Sequence, residues 1–202
     1  MSDKTKIAVF VSGGGTNLQA LIDAQGSVIK TGEIKLVLSS NPNAYALERA
    51  KNAGIKGVTV SKKELGSQEA FEARISEVLK AEGIEMIVLA GFMSILSADF
   101  TSQWPNRIIN VHPSLIPSFC GKGFYGLRVH EAALEYGVQV TGATVHYVNE
   151  IPDGGKIILQ KAVEILEGDT PEILQKRVME QAEWLLLPRA TEIVAQRIKK
   201  GL

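Results

Sequence analysis

The sequence has little of several features that mark particular classes of protein. It contains one cysteine, which excludes an intramolecular disulfide or a multi-thiolate metal site and indicates a reducing compartment. It has no excess of charge, because 22 Lys and Arg residues balance 22 Asp and Glu residues. Nucleic acids and anionic membranes both call for a basic excess, so we expect neither as a partner. Small anionic ligands stay open, since they need only a local site.

Long hydrophobic runs are missing as well. The first apolar run, residues 7–11, is too short for a signal-peptide core or a membrane span, and we therefore expect a cytoplasmic protein. With 45% hydrophobic and 22% charged residues, the composition is ordinary for a folded chain and argues against disorder. A length of 202 residues predicts one domain over residues 1–202.

Short apolar runs alternate with amphipathic runs in the first half of the chain. Most of the apolar runs lack the polar alternation of half-exposed strands, which predicts parallel strands covered on both faces. These runs are residues 7–11, 34–38, 57–60, 86–90 and 108–111. The clearest helix pattern begins after Ser67 and ends before Gly83, and another covers residues 44–53. This order predicts an α/β protein with a doubly wound, mostly parallel sheet.

The second half contains β-rich runs at residues 138–148 and 156–166, joined through a Pro-Asp-Gly-Gly turn. No helix fits between them, so these runs should add antiparallel strands at or near one side of the sheet. A last helix begins near Thr170 with Pro171 in its first position, and Pro188 is expected to kink it or end it. Residues 113–127 form the one long loop, and loops of that length are usually functional or mobile.

The first motif that could bind a ligand or take part in catalysis is Ser-Gly-Gly-Gly-Thr-Asn at residues 12–17, directly after the first strand. Glycines let a tight turn point several N–H groups inward, and the following helix N-terminus adds partial positive charge, which suits a phosphate. No Gly-Lys-Ser/Thr follows, and Leu18 occupies the third glycine position of a dinucleotide fingerprint. A tight strand-to-helix turn that binds nothing is the alternative.

The second motif lies where the fifth predicted strand ends. Asn110 and His112 are two residues apart, so on an extended chain they point to the same side, about 6–7 Å apart. An amide that can bind an oxyanion and an imidazole that can move a proton suit acyl transfer. Asp153 begins an Asp-Gly-Gly motif, and a carboxylate beside the imidazole would raise its pKa. A histidine that caps a loop and a plain turn are the alternatives.

The remaining candidates are weaker. Cys120 is interpreted as a passive loop thiol because nothing near it in sequence marks an activating base. His130 and His146 are interpreted as structural residues, in a helix and in a strand. Three histidines without carboxylates at ligand spacing predict no metal site.

Together the motifs resemble the folate-dependent formyltransferases, and within them the glycinamide ribonucleotide formyltransferase family, essentially from end to end. The segments that carry the resemblance are residues 12–20, 89–93 (Leu-Ala-Gly-Phe-Met), 110–117 (Asn-Val-His-Pro-Ser-Leu-Ile-Pro), 142–146 (Gly-Ala-Thr-Val-His) and 153–155. The resemblance implies formyl transfer from 10-formyltetrahydrofolate, as cosubstrate, to the amine of glycinamide ribonucleotide in purine synthesis, by a formyltransferase-like fold without a metal. It leaves open whether the chain is a monomer or a homodimer.

The resemblance also implies roles for particular residues. Asn110, His112 and Asp153 would be catalytic, with protonated His112 and Asn110 stabilising the oxyanion and Asp153 holding His112 in its charged form. The substrate would be held by Gly15, Thr16 and Asn17 at its phosphate and by Glu183 at its ribose. The folate site would comprise Gln68, Met93, Ser94, Ile95, Leu96, Asn110, Val148 and Asp153.

The chain departs from many family members at Gln68 and Ser94, where they carry arginines near the folate; Lys62, Lys63 or Lys122 could supply the missing charge.

Three alternatives differ in function. The resemblance implies that a formyltetrahydrofolate hydrolase would have a regulatory domain ahead of the core, and that a transfer-RNA formyltransferase would have a C-terminal domain. We expect neither of these two enzymes here. A non-catalytic sensor of phosphoribosyl ligands would not need the three catalytic residues.

Overall fold

The computed structural model describes residues 4–202 and contains one seven-stranded sheet in the order β3-β2-β1-β4-β5-β6-β7. The first five strands are parallel, and β6 and β7 are added antiparallel at one edge, which confirms the predicted fold class. The strands are β1 Thr5–Val11, β2 Gly32–Ser39, β3 Lys56–Thr59, β4 Met86–Leu89, β5 Ile108–His112, β6 Val140–Tyr147 and β7 Ile157–Glu164.

Eight α-helices connect the strands: α1 Thr16–Asp23, α2 Ala46–Asn52, α3 Lys62–Leu65, α4 Gln68–Ala81, α5 Ala98–Ser102, α6 Leu127–Tyr136, α7 Pro171–Val178 and α8 Trp184–Lys199, counted within residues 4–202. The Ser67 and Thr170 side chains accept hydrogen bonds from backbone N–H groups at the starts of α4 and α7, as their sequences predict. The short helices α3 and α5 were not predicted. No helix in the described part of the chain has the length and apolar character needed to cross a membrane.

Both faces of the strands β1, β2, β4 and β5 are largely buried, as the continuous apolar runs predict. The prediction is wrong for β3, which lies at the edge of the sheet and is mostly exposed. Val9, Val37 and Val88 belong to one apolar cluster with residues of α1 and α8, and Phe10 and Leu38 belong to another with residues of α4. Because successive strand side chains point to opposite faces, the two clusters hold the central strands rigidly between helix layers. The carboxyl ends of these strands therefore provide a fixed platform for side chains that follow them.

Pro188 was expected to kink or end the last helix, and it does not end it. It lies inside α8, which continues to Lys199, and a π-helical turn over Met179–Glu183 joins α7 to α8. A proline removes one helical hydrogen bond, to the carbonyl four residues earlier. Pro188 is buried in α8, and the burial of its ring offsets part of the cost of the missing hydrogen bond.

Candidate active site

Two cavities meet at the carboxyl ends of β4 and β5. The larger, of about 810 Å³, extends from the start of α1 to the loop after β5, and the smaller, of about 110 Å³, lies beyond β4. They share Asn110 and Asp153. Other predicted site residues line one cavity or the other. The larger cavity is lined by Asn17, Met93, His112 and Glu183. The smaller cavity is lined by Ser94, Leu96 and Val148, and Ile95 lines both cavities.

The structure brings the three predicted catalytic residues together. Asn110 and His112 lie on β5, and the turn after β6 places the Asp153 Oδ2 atom 3.5 Å from His112 Nδ1. The other ring nitrogen, His112 Nε2, lies 2.8 Å from the Phe119 carbonyl, to which it donates when protonated. The Gly121 N–H group donates to Asp153 Oδ2 at 2.8 Å. The loop of residues 113–126 therefore holds both members of the His–Asp pair.

The backbone is strained at two of these contact residues. Phe119 and Asp153 have positive φ angles of 49° and 56°, in the left-handed region that side chains other than glycine rarely adopt. Such residues persist where the surrounding contacts fix them, and they concentrate at functional sites. Here the two residues with left-handed backbone place the Phe119 carbonyl and the Asp153 carboxylate against the same imidazole, that of His112.

His146 belongs to this cluster, although its sequence context suggested a structural role alone. Its Nε2 atom lies 3.5 Å from Asp153 Oδ1 and 3.3 Å from Asn110 Nδ2, and its Nδ1 atom donates to the Tyr147 carbonyl at 2.8 Å. The signal that identifies it is register, because His146 on β6 pairs directly with Asn110 on β5. Neighbouring strands therefore place the amide and the second imidazole side by side.

Burial changes the expected electrostatics of His112. Loss of solvent lowers its pKa, whereas the Asp153 charge and the Phe119 carbonyl act to raise it, and the result lies below the ordinary value of 6.5. The expectation that Asp153 keeps His112 charged near neutrality is thus wrong in its net direction. Burial also acts to raise the pKa of Asp153, but hydrogen bonding to His146 and the charge of His112 outweigh it, so this pKa is lowered. Burial therefore favours the neutral imidazole of His112 beside the Asp153 carboxylate in the free protein.

Replacement of Asp153 by asparagine is expected to lower the pKa of His112 further, because the substitution removes the charge that favours imidazolium. NMR titration of the His112 ring signals would measure the pKa in both proteins. Asp99→Asn is the matched control, since Asp99 is exposed on α5. A higher His112 pKa in Asp153→Asn would contradict the proposed coupling.

The glycine-rich segment forms the turn between β1 and α1. Gly15 is left-handed, with φ of 72°, and a Cβ atom there would lie 2.7 Å from Ala46 Cβ, so only glycine fits. The structure joins Asn17 to Glu183, whose Oε2 atom accepts from Asn17 Nδ2 at 2.6 Å. Asn17 Oδ1 is buried without a partner. Thr16 Oγ1 lies 3.8 Å from the Sδ atom of Met179, which lines the larger cavity, and Thr16 itself lines a groove between α1 and α8.

Glu183 ends the π-helical turn, which widens the helix by one residue at the point where its side chain meets Asn17. The residue is only 6% exposed, and burial raises the pKa of its carboxyl group. Sequence periodicity gave no sign of the π turn. Its position at the cleft agrees with the frequent occurrence of such turns at functional sites.

The residues predicted to contact a folate divide into two groups. All except Gln68 line one or both cavities. Gln68 stands behind them, where its Nε2 atom donates to the Ile95 carbonyl at 3.1 Å and its Oε1 atom accepts from Lys62 at 2.6 Å. Lys122 lines the larger cavity. Cations therefore lie near the folate region at Lys62 and Lys122, in the absence of arginine at positions 68 and 94.

A doubly wound sheet with a cleft at the carboxyl ends of its central strands, lined by Asn110, His112 and Asp153, is typical of α/β enzymes that bind ligands at that edge. Comparison with known proteins narrows this class. Residues 5–191 match the formyl transferase family. The chain belongs to that family.

Individual relatives agree with this assignment. The phosphoribosylglycinamide formyltransferase of Haemophilus influenzae is 40% identical, over 91% of this chain and 84% of the relative. The trifunctional purine biosynthetic protein adenosine-3 of Gallus gallus is 44% identical over 96% of this chain, which spans only 19% of that relative's length. The crystal structure of glycinamide ribonucleotide transformylase 1 from Symbiobacterium toebii superposes with a TM-score of 0.89 at 40% identity, covering 97% of this chain and 90% of that one.

Proposed function

We propose that this protein transfers the formyl group of 10-formyltetrahydrofolate to the amine of glycinamide ribonucleotide. The observation that carries the proposal is the position of Asn110, His112 and Asp153 at the junction of two cavities. One cavity leads to the Asn17–Glu183 pair, and the other is lined largely by apolar side chains. The names of the relatives supply the acceptor and the formyl group, and the family resemblance of the sequence motifs supplies the folate donor.

The acceptor would lie in the larger cavity. The N–H groups at the start of α1 have no helical partner and carry partial positive charge, so Gly15, Thr16 and Asn17 can hold a phosphate there. Glu183 and the unpartnered Asn17 Oδ1 atom are acceptors that suit ribose hydroxyl groups. Thr16 contributes its backbone N–H group, and it also lines the groove between α1 and α8.

The smaller cavity suits the flat, partly apolar ring of a folate. Leu89, Leu96 and Val148 provide an apolar wall, and Asn110 and Asp153 close the end that faces the acceptor. The bound folate supplies the formyl carbonyl and the nitrogen that leaves it. Asn110 and Asp153 thus stand where the two substrates meet.

The chemistry follows from a neutral His112. As the acceptor amine attacks the formyl carbon, Asn110 donates from Nδ2 to the developing oxyanion. His112 accepts the proton that the amine must lose, and Asp153 stabilises the resulting imidazolium. His112 then gives the same proton to the nitrogen that leaves the formyl carbon, so the net transfer consumes and releases no proton at the side chain.

Incubation with glycinamide ribonucleotide and 10-formyltetrahydrofolate tests the function, with both products followed by chromatography. We expect formylated nucleotide in equal amount to the tetrahydrofolate formed. Formate without formylated nucleotide would support the hydrolase alternative, and binding without turnover would support the sensor. A single domain over residues 1–202, cytoplasmic location, a monomeric or homodimeric state and the exclusion of nucleic-acid and membrane partners remain predictions.

A further inference from the structure

Helix α2 binds the back of the glycine-rich turn. Arg49 Nε donates to the Gly14 carbonyl at 2.8 Å, and the Ala46 N–H group donates to the Gly13 carbonyl at 3.1 Å. Two consecutive carbonyl groups of the turn are therefore held from the same side. The tight fit of Gly15 against Ala46 shows that α2 and the turn pack in direct contact.

These contacts determine the direction of the neighbouring N–H groups. In a trans peptide, the C=O and N–H bonds point in opposite directions, so binding of the Gly13 and Gly14 carbonyls to α2 turns the N–H groups of Gly14 and Gly15 away from it. Gly13 and Gly14 are not covered by packing on their side-chain side, since a Cβ atom at either residue would meet nothing within 4 Å. Consecutive N–H groups in such a turn can form a nest for an anion.

Arg49 is itself held in place by two further contacts. Its Nη1 atom donates to Gln19 Oε1 at 3.1 Å, and its guanidinium lies 5.1 Å from the centre of the Tyr45 ring. Within residues 4–202, no carboxylate forms a salt bridge with Arg49. Its positive charge therefore contributes to the electrostatic potential at the glycine-rich turn.

We propose that Arg49 is a positioning residue for the phosphate of the acceptor. Its side chain orients the Gly13–Gly15 backbone, and its positive charge lies on the side of that backbone opposite the phosphate. The inference rests on the proposed function, because it takes the ligand of the turn to be the substrate phosphate. It assigns phosphate affinity partly to a side chain outside the cleft.

The test compares a phosphorylated ligand with its dephosphorylated form. Arg49→Ala is expected to raise KM for glycinamide ribonucleotide about tenfold more than KM for the dephosphorylated ribonucleoside. Arg49→Lys keeps the charge but not the planar fork, and should fall between alanine and wild type. Arg74→Ala is the control, since Arg74 is exposed on α4 and forms a salt bridge with Glu77, and it should leave both KM values unchanged. Equal losses for the two acceptors in Arg49→Ala would overturn the inference.

Direct binding separates this inference from the proposed function. Calorimetry with ribose 5-phosphate and with ribose needs no turnover, and Arg49→Ala should weaken only the phosphorylated ligand, by about tenfold. If the wild type binds ribose 5-phosphate but makes no formylated product, the function fails and the role of Arg49 is still measured. Unchanged ribose 5-phosphate affinity in Arg49→Ala overturns the role of Arg49. Thermal unfolding of each variant shows whether it is folded.

Discussion

Replacement of His112 by alanine is expected to lower kcat for formyl transfer at least about a hundredfold. The substitution removes the proton carrier of the proposed mechanism, and neither Asn110 nor Asp153 can take its place. The Asn110 amide neither gains nor loses a proton near neutral pH. The hydrogen bonds of Asp153 with His146 and the Gly121 N–H group remain in this variant and act to lower the Asp153 pKa. Steady-state measurement of kcat and KM for both substrates would show the loss as an effect on kcat.

Two further variants give this experiment its specificity. Asp153→Asn should also lose about a hundredfold in kcat, because the imidazolium formed during transfer loses its counter-charge. Cys120→Ala is the matched control, since Cys120 lies beside Phe119 in the same loop and its thiol donates only to the Pro117 carbonyl. It should keep near-normal kcat. Binding of ribose 5-phosphate should persist in all three, and near-normal turnover in His112→Ala would remove the catalytic assignment.

Local patterns predicted most of the fold because each signal lies within a few residues. The apolar run ending at Val11 and the caps at Ser67 and Thr170 need no distant partner to be recognised. The antiparallel pair β6 and β7 also follows locally, since the intervening turn is too short for a crossover. The short helices α3 and α5 were missed because each is only a turn or so long and begins at a serine cap. The continuation of α8 through Pro188 could not be told from the sequence, which left a kink and an end both open.

The site was predictable only in part, for a different reason. Asn110 and His112 share a strand, so their common orientation follows from spacing, whereas the contact of His146 with Asn110 depends on the register between β5 and β6. No local pattern sets that register. The protonation of His112 is a second case. The effect of Asp153 on the His112 pKa depends on one neighbouring charge, whereas the opposing effect of burial depends on all the residues around the cleft.

His130 illustrates what such burial does to stability. The ring is fully buried in the wall of the larger cavity, both nitrogens lack a hydrogen-bond partner, and burial lowers the pKa to about 4. An unfolded chain titrates this histidine near 6.5, so between these values the unfolded state binds more protons. Stability therefore falls as pH falls through this range. The loss attributable to His130 is about 3 kcal/mol of unfolding free energy from pH 7 to pH 4.

Urea unfolding at several pH values would measure this loss, with His130→Leu as the comparison. Carboxylates such as Asp169 contribute equally to both proteins near pH 4, so the difference between the two curves isolates the imidazole. The wild type should lose about 3 kcal/mol more than His130→Leu between pH 7 and pH 4. His130→Gln removes the titrating group while keeping polar atoms, and should show the same flattening. Parallel curves for wild type and both variants would mean that His130 gains its proton without unfolding, through water that enters the cavity wall.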